Sequence, residues 1–242
     1  MTALDYDNLS GRPPGALLAA LSRLSRRVRS VQDQVGPFAE AWRSANAREL
    51  SQGSGPLWVA LGDSMTQGIG APDPMLGYVG QLASRWRTRG DEFRLLNLSF
   101  SGARVADVID RQWPAAVRIA SGPGLEIGRV TLLIGSNDLL RAQFRSALPG
   151  DVRRLLDRLP DGTAVGTLPN PQAAGLNAVV DRAAGRVRVA ELRRTGTGWA
   201  WRGKLSPDLF HPNEHGYAVL ASAFERAFDE PVPGGDGRPA SR

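Results

Sequence analysis

The sequence predicts an α/β protein: a doubly wound, five-stranded parallel sheet with helices on both faces, preceded by an N-terminal helical extension. Two observations carry that prediction. Short continuous apolar runs, such as LWVAL at 57–61 and VTLLI at 130–134, read as strands buried on both faces. Stretches of helical periodicity separate these runs, and strand–helix alternation builds parallel βαβ units. At 242 residues the chain suits one good-sized domain, and a hydrophobic fraction of 42% supplies a core for it. No internal repeat is visible, and no apolar stretch is long enough to suggest a membrane span.

Taken in order, residues 1–14 are polar and Pro-punctuated and are expected to be loose. Leu17, Leu21, Leu24, Val28, Val31 and Val35 then recur at intervals of four and three, which places one apolar stripe on a helix. Arg23, Arg26, Arg27, Arg29 and Asp33 fall on the opposite face. Gly36-Pro37 is expected to interrupt this helix, with a second one over 38–50. Three readings of the stripe stay open: a helix laid on the main domain, a basic amphipathic helix at an anionic membrane surface through residues 17–35, or a short dimer seam. A hinge-like stretch at 52–56 divides this extension (1–55) from the main domain (56–229).

In the main domain, strands are expected at 57–61, 94–98, 130–134, 163–167 and 187–190. Helices are expected at 75–89, 105–120, 139–147, 150–159, 173–184 and 213–228, with Pro114 breaking or kinking the second. A long loop precedes the last helix. The tail at 230–242 is Pro/Gly-rich and reads as disordered.

Composition narrows the function classes. There is no cysteine, which excludes disulfides and thiolate metal sites. The net charge of +6 is almost entirely arginine, Lys204 being the only lysine. Acidic residues are interspersed with the arginines, and neither an RNA-binding aromatic–Gly motif nor a zinc-finger pattern occurs, so no nucleic-acid partner is expected. Asp5 and Asp7 stand where a secretory leader carries basic residues, and Ser22-Arg23 break the apolar stretch, so a cytoplasmic location is expected.

In a doubly wound sheet, ligands bind beyond the carboxyl ends of the strands. Gly62-Asp63-Ser64 follows the first strand and sets a hydroxyl at a strand-to-helix turn, although Asp and Ser there are also ordinary helix caps. Gly102 lies beyond the second strand, where the absence of a Cβ lets a backbone N–H approach a ligand or simply caps a turn. Asn137, in Gly135-Ser136-Asn137-Asp138, follows the third strand, and its amide is a candidate oxyanion donor as well as a candidate cap. Before the last helix, Asp208 and His211 stand three apart, a spacing that lets a turn hold carboxylate against imidazole. Each item alone is ordinary; together they converge on one edge of the sheet.

In these blocks, GDS (62–64), Gly102, GSND (135–138) and DLFHP (208–212), the chain resembles the SGNH, or GDSL-type, serine hydrolases from about residue 57 to 229. The resemblance implies the flavodoxin-like SGNH fold and a carboxylic ester hydrolase. It implies Ser64 as nucleophile, His211 as base, Asp208 as the acid that orients it, and an oxyanion hole of Ser64, Gly102 and Asn137. Met65 departs from the leucine of the common motif by a swap of similar volume. No cofactor or metal is implied. The substrate class is a small-molecule ester: a short acyl ester, a lysolipid or an acetylated sugar. Two alternatives are a non-catalytic acyl- or glycan-binding module and a membrane-surface lysophospholipase. His215, the second of only two histidines, reads as a surface residue, and Trp199 and Trp201 either line a pocket or pack.

Overall fold

A computed structural model describes residues 5–13, 24–193 and 201–230. Leu17 and Leu21 of the apolar stripe, Trp199 and the 231–242 tail lie outside them. The sheet has five parallel strands, β1 (Leu57–Gly62), β2 (Arg94–Asn97), β3 (Ile127–Leu133), β4 (Ala164–Gly166) and β5 (Arg188–Ala190), in the order β2-β1-β3-β4-β5. The expected α/β class is correct. β1 is buried along its whole length, which explains its unbroken apolar sequence. The connection from β1 leads outward to β2 and that from β3 leads outward to β4, so the order reverses between β1 and β3. A crevice opens at such a switch point.

Helices cover the sheet. In chain order they include α1 (Arg26–Gln32), α2 (Val35–Gln52), the one-turn α3 (Ser64–Gln67), α4 (Tyr78–Thr88), α5 (Trp113–Ala120), the one-turn α6 (Ser136–Leu139), α7 (Leu148–Leu156), α8 (Ala174–Arg182) and α9 (Glu214–Asp229). Helices α4 and α9 pack on each other, fastened by Arg85 to Glu225 at 2.9 Å, and α7 packs on α8. Beneath α4, Trp58 of β1 meets Trp86 and Phe93 edge-on at 4.6 and 5.4 Å.

Two local expectations are corrected. Gly36-Pro37 does not interrupt the N-terminal helices. The break falls at Asp33-Gln34, and Pro37 sits in the first turn of α2, where a missing N–H breaks no intrahelical bond. At Pro114 the expected irregularity takes the form of a π-turn: the chain widens over Val108–Gln112 just before the proline, which lies in the first turn of α5. The expected helix at 139–147 is resolved into short turns, Ser136–Leu139 and Ala142–Arg145. Trp201 packs partly buried against the core. No helix among the described residues is long and apolar enough to cross a membrane.

The N-terminal segment lies along the outer edge of β2. An edge strand exposes unpaired backbone groups that must be covered or solvated. Here the cover is made by side chains. The Asn97 N–H donates to Asn46 Oδ1 at 2.9 Å, and Asn46 Nδ2 returns a bond to the Asn97 carbonyl at 2.8 Å. Glu49 Oε2 accepts from the Leu95 N–H at 3.3 Å. Trp42 is wholly buried in the same core as the sheet, and its indole N–H donates to the Gln67 carbonyl at 2.9 Å. Val31 and Phe38 bury against Ile69. Asn46→Leu keeps the branching at Cγ but leaves the Asn97 N–H without a partner; we expect a loss on the order of 1–3 kcal/mol, read as a lower urea midpoint at unchanged m-value.

Candidate active site

Gly62, the last residue of β1, has no room for a side chain. A Cβ there would lie 2.2 Å from Thr66 Oγ1 and 2.3 Å from the Leu133 carbonyl oxygen. Its backbone is instead clasped by one side chain: its N–H donates to Gln112 Oε1 at 2.9 Å and its carbonyl accepts from Gln112 Nε2 at 2.8 Å. Gln112 comes from the π-turn and is fully buried. The strand end is therefore held in place just before Asp63 and Ser64.

Asp63 caps α3, its Oδ1 accepting the Met65 N–H at 3.0 Å, so Ser64 is the first residue of that helix. Ser64 Oγ lies 2.9 Å from His211 Nε2. His211 Nδ1 lies 2.7 Å from Asp208 Oδ2. The three residues expected to share the site form a continuous hydrogen-bonded chain, with Ser64 and His211 both buried.

The loop that presents the pair is tightly folded. Asp208 Oδ1 accepts from Ser206 Oγ at 2.6 Å, from the Phe210 N–H at 2.9 Å and from the His211 N–H at 3.0 Å. Between Asp208 and His211 the chain passes through Leu209 at φ +58°, a conformation costly for a branched residue. Leu209 and Phe210 are left exposed, and the Phe210 ring stands edge-on to the His211 ring at 4.9 Å. Burial pushes the Asp208 carboxyl up, but its bonds with His211, the imidazole charge and the Ser206 hydroxyl outweigh this and hold it below the usual carboxylate range. It is an anion suited to orienting a ring and balancing its charge.

The expected oxyanion donors lie on turns that Asn137 links. The backbone N–H groups of Ser64 and Gly102 donate to no protein acceptor among the described residues. Gly102 has φ +78° and a Cβ there would meet open space, so the glycine serves backbone conformation and access. Asn137 is at the start of α6, and its Nδ2 donates to the Ala103 carbonyl at 2.9 Å and reaches Asp63 Oδ2 at 3.5 Å. These bonds tie the asparagine to the loop of Gly102 and to the turn of Ser64. His215 lies exposed on α9 beside Glu214 and faces none of these groups.

The sequence reading missed several residues that build this geometry. Asp63 was legible only as a cap, and nothing in the local pattern marked Gln112. Gly70 is also tied to the site, since a Cβ there would fall 2.7 Å from His211 Cβ, so this loop backs the histidine closely.

The fold is α/β, with a serine, a histidine and an aspartate hydrogen-bonded in series at the strand ends. A model of the GDSL-like lipase/acylhydrolase family matches residues 60–219, and the chain belongs to that family; by class it is a carboxylic ester hydrolase. Among solved structures it is similar to LAE5, an α/β hydrolase enzyme from the metagenome of Lake Arreo, Spain, with 24% identity over 74% of this chain and 98% of that one and a TM-score of 0.55. It is similar to TesA, at 18% identity over 71% and 97% with a TM-score of 0.59. It is also similar to Axe2, an acetylxylan esterase from Geobacillus stearothermophilus, at 19% identity over 74% and 97% with a TM-score of 0.54. These likenesses are of fold. No curated relative matches the chain in sequence.

Asp63 gives the site a pH signature. Burial, reinforced by the charge of Asp138, pushes its carboxyl up to about 7 against the bond from the Met65 N–H. The folded protein keeps a proton that the unfolded chain releases above about pH 4, so this residue lowers stability progressively as pH rises from about 4 to about 7. Asp63→Asn keeps the acceptor for Met65 and removes the titration. Its stability relative to the parent should rise by a few kcal/mol at most across that window and level off above it, in urea unfolding at pH 5 and pH 8. A difference independent of pH would show that Asp63 is ionised throughout.

Proposed function

We propose that the protein is a serine esterase that works through an acyl-enzyme on Ser64. The observation that carries this reading is the Ser64–His211–Asp208 hydrogen-bonded chain at the strand ends. A serine hydroxyl is a weak nucleophile until a base takes its proton. As Ser64 Oγ attacks the ester carbonyl carbon, its proton passes to His211 Nε2, and Asp208 stabilises the imidazolium through Nδ1. The carbonyl oxygen gains the negative charge and is received by the N–H groups of Ser64 and Gly102 and by the amide of Asn137, which gives up its long contact to Asp63 Oδ2. Collapse breaks the bond to the alcohol oxygen, which leaves with the proton from His211. Water then attacks the acyl-enzyme, His211 again taking and returning the proton, and the acid is released with Ser64 restored.

The substrate we favour has an apolar acyl group. Leu209 and Phe210 flank the histidine at 72% and 53% exposure. Large apolar side chains at the mouth of a site favour an apolar ligand beside it. An acetylated sugar, the class named for Axe2, is the second reading and would gain little from these side chains.

Three variants test the reading on p-nitrophenyl esters from acetate to octanoate. Ser64→Ala should abolish turnover at every chain length; activity surviving in it would overturn the mechanism. Asn137→Ala should lower kcat on the order of 10²–10³-fold with the fold intact, and normal turnover would remove Asn137 from the site. Phe210→Ser should reduce kcat/KM for octanoate about tenfold while leaving acetate nearly unchanged, the scale of a lost apolar contact. Equal losses on both esters would instead favour the acetyl-ester reading.

A further inference from the structure

The segment before residue 60 lies outside the family match, yet it reaches the proposed oxyanion hole. Arg12 forms a two-pronged pair with Asp107, Nη1 to Oδ1 at 2.8 Å and Nη2 to Oδ2 at 2.7 Å. The same Nη2 donates to the Gly102 carbonyl at 3.1 Å. Asp107 is itself fixed, because its Oδ2 accepts the Arg104 N–H at 2.8 Å. Asn8 spans the preceding residues, its Nδ2 donating to the Asn97 and Ser99 carbonyls at 2.8 and 2.9 Å. Gln67, in the helix that begins at Ser64, closes the circuit: its Oε1 accepts the Ser101 N–H at 2.9 Å and its Nε2 donates to the Asn8 carbonyl at 3.0 Å.

Gly102 needs such support. It has no side chain, it is exposed, and it stands in a left-handed conformation next to open space, so packing does not hold it. The peptide carbonyl of Gly102 is anchored by a guanidinium whose fork is already aligned on Asp107, and a planar, five-donor group serves both acceptors at once in a way an ammonium does not. From these contacts we infer that the N-terminal segment is a working strap of the active site and that Arg12 is a positioning residue: it holds the 99–102 loop so that the Gly102 N–H faces the developing oxyanion.

This inference rests on the esterase reading, and its test is arranged to fail separately from it. Arg12→Ala is compared with Ser64→Ala and Asn137→Ala on the ester that the parent enzyme turns over fastest. Misplacing one donor costs less than deleting it, so kcat should fall about tenfold with KM changed less than about twofold. Binding of phenylboronic acid, which forms a tetrahedral anionic adduct on an active serine, should weaken by a similar factor. Millimolar guanidinium, which supplies the missing planar cation at concentrations too low to unfold the protein, should restore part of kcat in Arg12→Ala and none in Asn137→Ala. Asp107 is buried, so losing Arg12 should also lower the urea midpoint, and kcat and boronate affinity are read per folded molecule. Full activity in Arg12→Ala beside inactive Ser64→Ala overturns the inference and leaves the esterase standing. So does a loss of activity that follows the unfolded fraction, with boronate affinity per folded molecule unchanged. Activity in Ser64→Ala overturns the mechanism beneath both.

Discussion

A hydroxyl and an imidazole 147 residues apart in the chain must be held 2.9 Å from each other, and much of the structure answers to that constraint. On the serine side, a strand end without room for a Cβ is pinned by both polar atoms of the buried Gln112 amide. On the histidine side, a turn closed around Asp208 Oδ1 sets the ring from behind. The loop at Gly70 joins the two, lying against His211 while Tyr217 of α9 donates to the Ile69 carbonyl at 2.6 Å. A side chain at Gly62 or Gly70 would have to displace backbone, not a flexible neighbour.

Two aspartates near the nucleophile show how environment separates like groups. Asp208 accepts bonds from a hydroxyl, two backbone N–H groups and the imidazole, and so is favoured as an anion. Asp63 is fully buried, with the Met65 N–H on one oxygen, only the long Asn137 contact on the other and Asp138 nearby, and so is favoured as an acid. The residue next to Ser64 contributes architecture, and the residue next to His211 contributes charge.

The N-terminal segment solves a problem of the sheet and acquires a place at the site in doing so. Strand β2 is an edge, and Asn46 and Glu49 cover its backbone groups at Asn97 and Leu95, while Asn8 covers the Ser99 carbonyl just beyond it. The loop that follows β2 carries Gly102, so whatever covers the edge necessarily lies beside that loop. Gln34, between α1 and α2, likewise bonds both the Gly70 N–H at 2.8 Å and the Ala71 carbonyl at 2.9 Å, on the loop that backs His211.

The sequence by itself determined the strands, because burial on both faces demands unbroken apolar runs, and it placed Ser64, Gly102, Asn137, Asp208 and His211 at one edge, because parallel strands all end on the same side. Local rules failed where a local clue had more than one solution. Pro37 read as a break, yet it lies in the first turn of a helix, where a missing N–H is free of cost; only the path of the chain before it decided this. Gln112, Asn46 and Arg12 carried no signal, since a polar side chain on a helix or loop is ordinary until its partner is known. Their partners are backbone groups 50, 51 and 90 residues away, at Gly62, Asn97 and Gly102. Tertiary structure alone decided those contacts, because a hydrogen bond between distant segments depends on where the fold brings them and leaves no periodicity in the sequence.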